Sequence, residues 1–91
     1  MIVKVYVSTP LMKVTGGERE ISCHAGNMAN LLDELKGRFP GLIDTICDSE
    51  GNIKPVVSVY LNDSDIRFLS GAATELSNGD EVHIIPTIAG G

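Results

Sequence analysis

Ninety-one residues with 43% hydrophobic and 21% charged side chains suffice for one domain around one hydrophobic core. They are too few for a second lobe that would enclose an active-site cleft. A net charge of -5 and a pI near 4.7 argue against nucleic-acid backbones as partners and favour a protein with a basic docking face.

From Ile2 to Ser8 the residues alternate, Val3, Val5 and Val7 on one face and Ile2, Lys4, Tyr6 and Ser8 on the other. That is the period of a half-buried strand, with the valines toward the core. Thr9 to Gly17, holding Pro10 and Gly16-Gly17, reads as a loop, and Glu18 to Cys23 as a second strand with Arg19, Ile21 and Cys23 inward. Asn27 is placed to cap a helix whose apolar residues Met28, Leu31, Leu32, Leu35 and Phe39 recur at helical spacing. Pro40-Gly41 should end it, with Leu42 to Cys47 adding one short turn before a polar loop over 48–54.

Val56 to Leu61 reads as the next strand, Val57, Val59 and Leu61 inward and Val56, Ser58 and Tyr60 outward. Asn62 to Asp65 is turn chemistry, Ile66-Arg67-Phe68 a short extended piece, and Ala72 to Leu76 too short to classify. Asn78-Gly79-Asp80-Glu81 turns into a final strand, Val82 to Ile85, with Pro86 expected to stop further pairing. Residues 1–86 thus read as the domain, and 87–91 as a flexible tail, Thr87-Ile88-Ala89-Gly90-Gly91, ending in a slender carboxylate. The coarse order β-β-α-β-(short β)-β describes an α+β protein of β-grasp type, a mixed sheet wrapped around one main helix with its first and last strands adjacent in the centre. A ferredoxin-like sandwich would want a second long helix, and Leu42 to Cys47 is too short for one.

The alternation also makes an expectation about partners. Lys4, Tyr6, Ser58, Tyr60, His83 and Ile85 lie out of phase with the core positions Val3, Val5, Val57, Val59, Val82 and Ile84, so they should form an outward docking face beside the tail. No leader peptide opens the sequence and no apolar run approaches a membrane span, so a cytoplasmic protein without membrane or nucleic-acid partners is expected.

Several segments together, Val59-Tyr60-Leu61-Asn62-Asp63, Asp65-Ile66-Arg67, Asn78-Gly79-Asp80-Glu81-Val82 and Ile85 through Gly91, resemble the ubiquitin-like sulfur carriers of the ThiS/MoaD family. The Asp-Ile-Arg-Phe segment and the Ile-Ala-Gly-Gly ending resemble in particular the carriers that supply sulfur for cysteine biosynthesis, with the small subunit of molybdopterin synthase a near relative. The resemblance implies a carrier and not an enzyme: an E1-like enzyme of the MoeB/ThiF type uses ATP to adenylate the Gly91 carboxylate. Sulfur then replaces one oxygen, and the thiocarboxylate serves a sulfur-accepting synthase in cysteine, molybdopterin or thiamin synthesis. Gly91 carries the chemistry, Ile88, Ala89 and Gly90 form the tail that must thread a narrow channel, and no cofactor or metal is bound by the carrier itself.

Other constellations read as structural. Cys23 and Cys47, 24 positions apart without a C-x-x-C pair, fit reduced structural thiols, although spacing alone leaves a disulfide open. With His24 and His83 they match no zinc pattern, and Cys23 and His24, adjacent on a strand, point to opposite faces. Gly16-Gly17 lacks the lysine of a phosphate-binding loop, and Asp63, Asp65, Asp80 and Glu81 sit where turns need them and not at calcium-loop spacing. Two further functions stay open beside the carrier: a modifier joined to lysines through Gly91, and a plain β-grasp interaction module.

Overall fold

The valine alternation becomes strand β1 (Val3–Val7), with Val3, Val5 and Val7 buried and Lys4 exposed between them. It opens a chain that, in this computed structural model, is described over residues 2–86. The remaining elements are β2 (Glu20–Cys23), α1 (Met28–Arg38), α2 (Pro40–Ile46), β3 (Val57–Leu61), β4 (Ser64–Asp65) and β5 (Glu81–Pro86). The five strands make one sheet in the order β2-β1-β5-β3-β4. β5 pairs parallel with β1 and antiparallel with β3, so the first and last strands are central neighbours in the β-grasp order. Among the described residues no helix is long and apolar enough to cross a membrane.

One face of the sheet meets α1. Met28, Leu31 and Leu35 recur at helical spacing and are fully buried, packed in one core with Val5, Ile21, Val59, Val82 and Ile84. The helix begins where Asn27, in extended conformation, accepts the Asn30 N–H through its side chain at 2.8 Å, occupying a donor that the first turn leaves without a partner. Replacing Asn27 with Ala removes that acceptor. The expected cost is about 1 kcal/mol, and thermal denaturation should show a melting temperature lower by roughly 4–8 °C. An unchanged melting point would mean that the cap contributes nothing.

The structure corrects the sequence reading at several places. Thr9–Val14 is a 3-10 helix and not a loop: Pro10 supplies a preset φ near its start, and Leu11 is drawn into the core. Arg19 is exposed and lies before β2, because the strand begins only at Glu20. Pro40 does not merely end a helix; it stands in the first turn of α2, where a missing N–H costs nothing, and α2 buries Leu42, Ile43 and Ile46. Asp65 pairs in β4 opposite Tyr60, and Ile66–Phe68 is a 3-10 turn and not an extended piece. Pro86 is itself paired within β5, opposite Val57.

Two turns fix the entry to β5. Gly79 takes φ +90, a conformation that L side chains rarely adopt, and its N–H donates to Ile2 C=O. Asn62 also has positive φ in the two-residue turn between β3 and β4, and its side-chain oxygen accepts the Glu81 N–H at 3.1 Å. The hairpin is thereby tied to the first residue of β5.

Candidate docking face

β5 builds the candidate site, because it holds β1 and β3 on either side. The pleat turns the side chains of Lys4, Tyr6, Ser58, Tyr60, His83 and Ile85 away from α1, since their neighbours Val3, Val5, Val57, Val59, Val82 and Ile84 are all in the core. Register then decides which of them meet. His83 stands opposite Tyr6 on one side and Tyr60 on the other, so three rings form one row across the three central strands. The Tyr6 and His83 rings stack with centroids 4.8 Å apart and planes 13° apart. Ile85, 43% exposed, lies opposite Ser58, one pleat nearer the end of β5.

Charged side chains border this row. Lys4 Nζ lies 3.4 Å from Glu20 Oε2, and His83 Nε2 lies 3.6 Å from Glu81 Oε1. Partial desolvation, with Glu20 and Glu81 nearby, pushes the Tyr6 phenol above its usual pKa, so it stays a neutral hydrogen-bonding group. At the far edge Arg67 grips Asp65 through Nε and Nη2, the shortest contact being 2.8 Å, and Nη2 reaches Ser58 Oγ at 3.3 Å. The guanidinium holds the Asp65 carboxyl below the usual carboxylate range, so this mostly buried acid is charged and compensated.

At the end where β1 and β5 both finish, Tyr6, Ser8, Arg19, His83 and Ile85 line a shallow concavity of about 290 Å³. The Ser8 hydroxyl is buried there without a hydrogen-bond partner among the described residues. The surface as a whole presents aromatic and aliphatic area ringed by both signs of charge, which suits protein recognition.

Lys4, Tyr6, Ser58, Tyr60, His83 and Ile85 share the outward side of three neighbouring strands. The alternation does not point to Arg67, Glu20 or Glu81, which complete its rim; for Arg67 the one available signal is the Asp-x-Arg spacing across a turn. Gly91, with Ile88, Ala89 and Gly90, lies outside the described residues. Both cysteines are buried and free of disulfides. Desolvation, with Glu34 close by, pushes the Cys23 thiol up to about 12, and burial also raises Cys47, so neither is a ready nucleophile. Among the described residues no group of three or more His, Cys, Asp or Glu side chains could hold a metal ion.

Known proteins resemble this chain, some of them along its whole length. The ThiS family model matches residues 5–91. The sulfur carrier protein CysO of Mycobacterium tuberculosis is 34% identical over 93 residues, covering all of both chains. The small archaeal modifier protein 3 of Haloferax volcanii is 34% identical over 64 residues, covering 70% of this chain and 68% of the other. Among solved structures, a chain in the crystal structure of the Amycolatopsis orientalis BexX/CysO complex superposes with a TM-score of 0.88 at 31% identity, covering 98% of this chain and 99% of that one.

Proposed function

Because this chain belongs to the ThiS family, we propose that it is a sulfur carrier, a protein co-substrate whose Gly91 carboxylate is activated by an E1-like enzyme and converted to a thiocarboxylate. The observation that carries the reading is the placement of β5. It is the central strand, paired with β1 and β3, and it carries the chain to Pro86, five residues before Gly91, beside the outward row of Tyr6, His83 and Tyr60. A partner that grips this face holds the tail's point of departure in register with its own catalytic pocket.

The chemistry then belongs to the partner. The Gly91 carboxylate attacks the α-phosphate of ATP and pyrophosphate leaves; a sulfur nucleophile attacks the acyl-adenylate and AMP leaves. A carboxylate alone is a poor acyl donor at neutral pH, and the mixed anhydride supplies the leaving group. Gly90 and Gly91 suit a channel that surrounds the carbonyl and excludes water, because neither has a Cβ to obstruct it. No side chain of the carrier takes part. The activating enzyme is of the MoeB/ThiF type, and the acceptor is a synthase, with cysteine biosynthesis the pathway favoured by similarity to CysO. Two buried, unpaired thiols fit the reducing interior of the cytoplasm. Intact mass of the protein from its native cell, without reduction or alkylation, should show one oxygen exchanged for sulfur. Lysine-linked conjugates in its place would favour a modifier, the reading that similarity to the small archaeal modifier protein 3 supports.

The docking face makes its own prediction. Ile85 and Tyr60 are outward and bury little of the core, so Ile85→Asp with Tyr60→Glu should leave the fold intact while weakening binding to the activating enzyme by about a hundredfold, as loss of two apolar anchors implies. Calorimetric titration of the folded double variant checks it. Unchanged affinity for both activating enzyme and acceptor would remove this face as the interface.

A further inference from the structure

The two edges of the sheet are finished differently. On β2 the main-chain groups that point away from β1 meet side chains of α1: Ser22 C=O accepts from Arg38 Nη1 at 2.7 Å, and His24 N–H donates to Glu34 Oε1 at 2.8 Å. Glu34 and Arg38, themselves joined at 3.2 Å, stand where a further strand would lie. On the opposite side β4 is two residues long and covers only Tyr60 and Leu61 of β3. Asn62 N–H donates to Glu81 C=O, so the alternation of the ladder directs the main-chain groups of Ser58 and Tyr60 toward β5 and those of Val57 and Val59 toward the outer edge. There Lys54 C=O accepts Val57 N–H. Ile66 C=O, which an extended β4 would set against Val59, accepts Leu69 N–H instead.

Val57 C=O and Val59 N–H therefore face past the end of β4, into a groove of about 270 Å³. Leu32, Ile53 and Ile66 give it an apolar lining, and Lys54 and Arg67 stand beside them. The one acid along it, Asp65, is already neutralised by Arg67. In a protein of net charge -5 this is a locally cationic, apolar slot along a strand edge. The turn that closes it carries Phe68, 86% exposed.

We propose that this groove binds a short extended peptide segment of a partner protein, one that adds to the β3 edge with an aliphatic side chain on Leu32, Ile53 and Ile66 and an acidic residue at Lys54. One residue of such a segment can satisfy Val57 C=O and Val59 N–H together, which is the pairing unit of strand addition. The pocket sets the aliphatic preference and Lys54, whose charge no acid along the groove offsets, sets the acidic one. The groove lies past the outer edge of β3, whereas the row of Tyr6, His83 and Tyr60 lies on the outward side of the three central strands, with Arg67 between them.

The probe is the synthetic peptide acetyl-Asp-Val-Ile-Val-Asp-Asp-amide, titrated into the isotope-labelled full chain and followed by amide NMR. The largest shifts are expected at Val59, Lys54 and Ile66, with slower solvent exchange at the Val59 amide. Lys54→Glu should weaken binding by about tenfold, and Ala72→Trp, at an exposed position lining the groove, should abolish it while both variants keep the parent spectrum elsewhere. A peptide with Pro for the central Ile should fail to bind, because it lacks the N–H. No shifts at millimolar peptide, shifts confined to Tyr6, Tyr60 and His83, or equal binding of the Pro peptide would each overturn the proposal.

Discussion

A chain ended at Gly90 is expected to fold as the parent does and to give no ATP-pyrophosphate exchange above background with its activating enzyme. The buried core among the described residues runs from Val3 to Ile84, so a residue seven positions beyond it should change stability by no more than about 0.5 kcal/mol. The effect on activation is of another order. Removing one residue draws the carboxylate back by roughly 3.5 Å, and misplacement by about 1 Å already costs on the order of a hundredfold when the reaction depends on in-line approach. Gly90→Val keeps the length and instead puts a branched side chain into the channel, and the same loss is expected. Circular dichroism melting and exchange assays on the two variants form the test. Retained exchange in the shortened chain would show that the activated carboxylate is not that of Gly91.

Leu35→Ala should be strongly destabilising, as a truncation at any of the three buried positions of α1 should be. The side chain is fully buried, and removing it leaves a cavity between the helix and the rest of the core. Large-to-small changes of this kind cost about 2–5 kcal/mol, a substantial share of the roughly 5–15 kcal/mol that holds a domain folded. A loss of about 3 kcal/mol corresponds to a melting temperature lower by roughly 12–24 °C for a domain of this size. Leu32→Ala, at a half-buried position on the same helix, should cost clearly less. Equal losses from the two would mean that the buried stripe of α1 is misassigned.

The sequence is most legible where one periodicity covers a whole element. Val3, Val5 and Val7, then Val57 and Val59, then Val82 and Ile84 announce their inward face through a period of two, and Met28, Leu31 and Leu35 announce theirs through helical spacing. Legibility fails where a residue has two local uses. Pro40 can end one helix or begin another, and Leu42, Ile43 and Ile46 decide for a beginning only once they have a core to enter. Thr9 to Gly17 reads as a loop because Pro10 and two glycines dominate it, while the burial of Leu11 within the 3-10 helix Thr9–Val14 depends on contacts outside the segment. Asp65 looks like a solvated turn residue; it is buried because Arg67 folds back on it and reaches Ser58.

Of the candidate site, the outward phase of all six residues is legible, but their assembly is not. The stack of Tyr6 on His83 needs β1 and β5 to run parallel in register, a fact carried by neither strand alone.

That parallel pairing of β1 with β5 also bears on how the protein is made. Val5 stands beside Val82, so the middle of the sheet cannot close until nearly the whole chain has been synthesised. Before then β1 with β2, and β3 with β4, are two hairpins without their common centre, and the last strand to arrive is the one that joins them. Such long-range closure is slow compared with local helix formation. A translation product broken off before Glu81 would leave β1 and β3 with bare inner edges and an incomplete core, a form open to proteolysis. Such fragments also lack everything after β5. Without β5 they also lack His83 and Ile85 of the outward face, so cellular turnover would remove chains that can neither dock nor offer a reactive end.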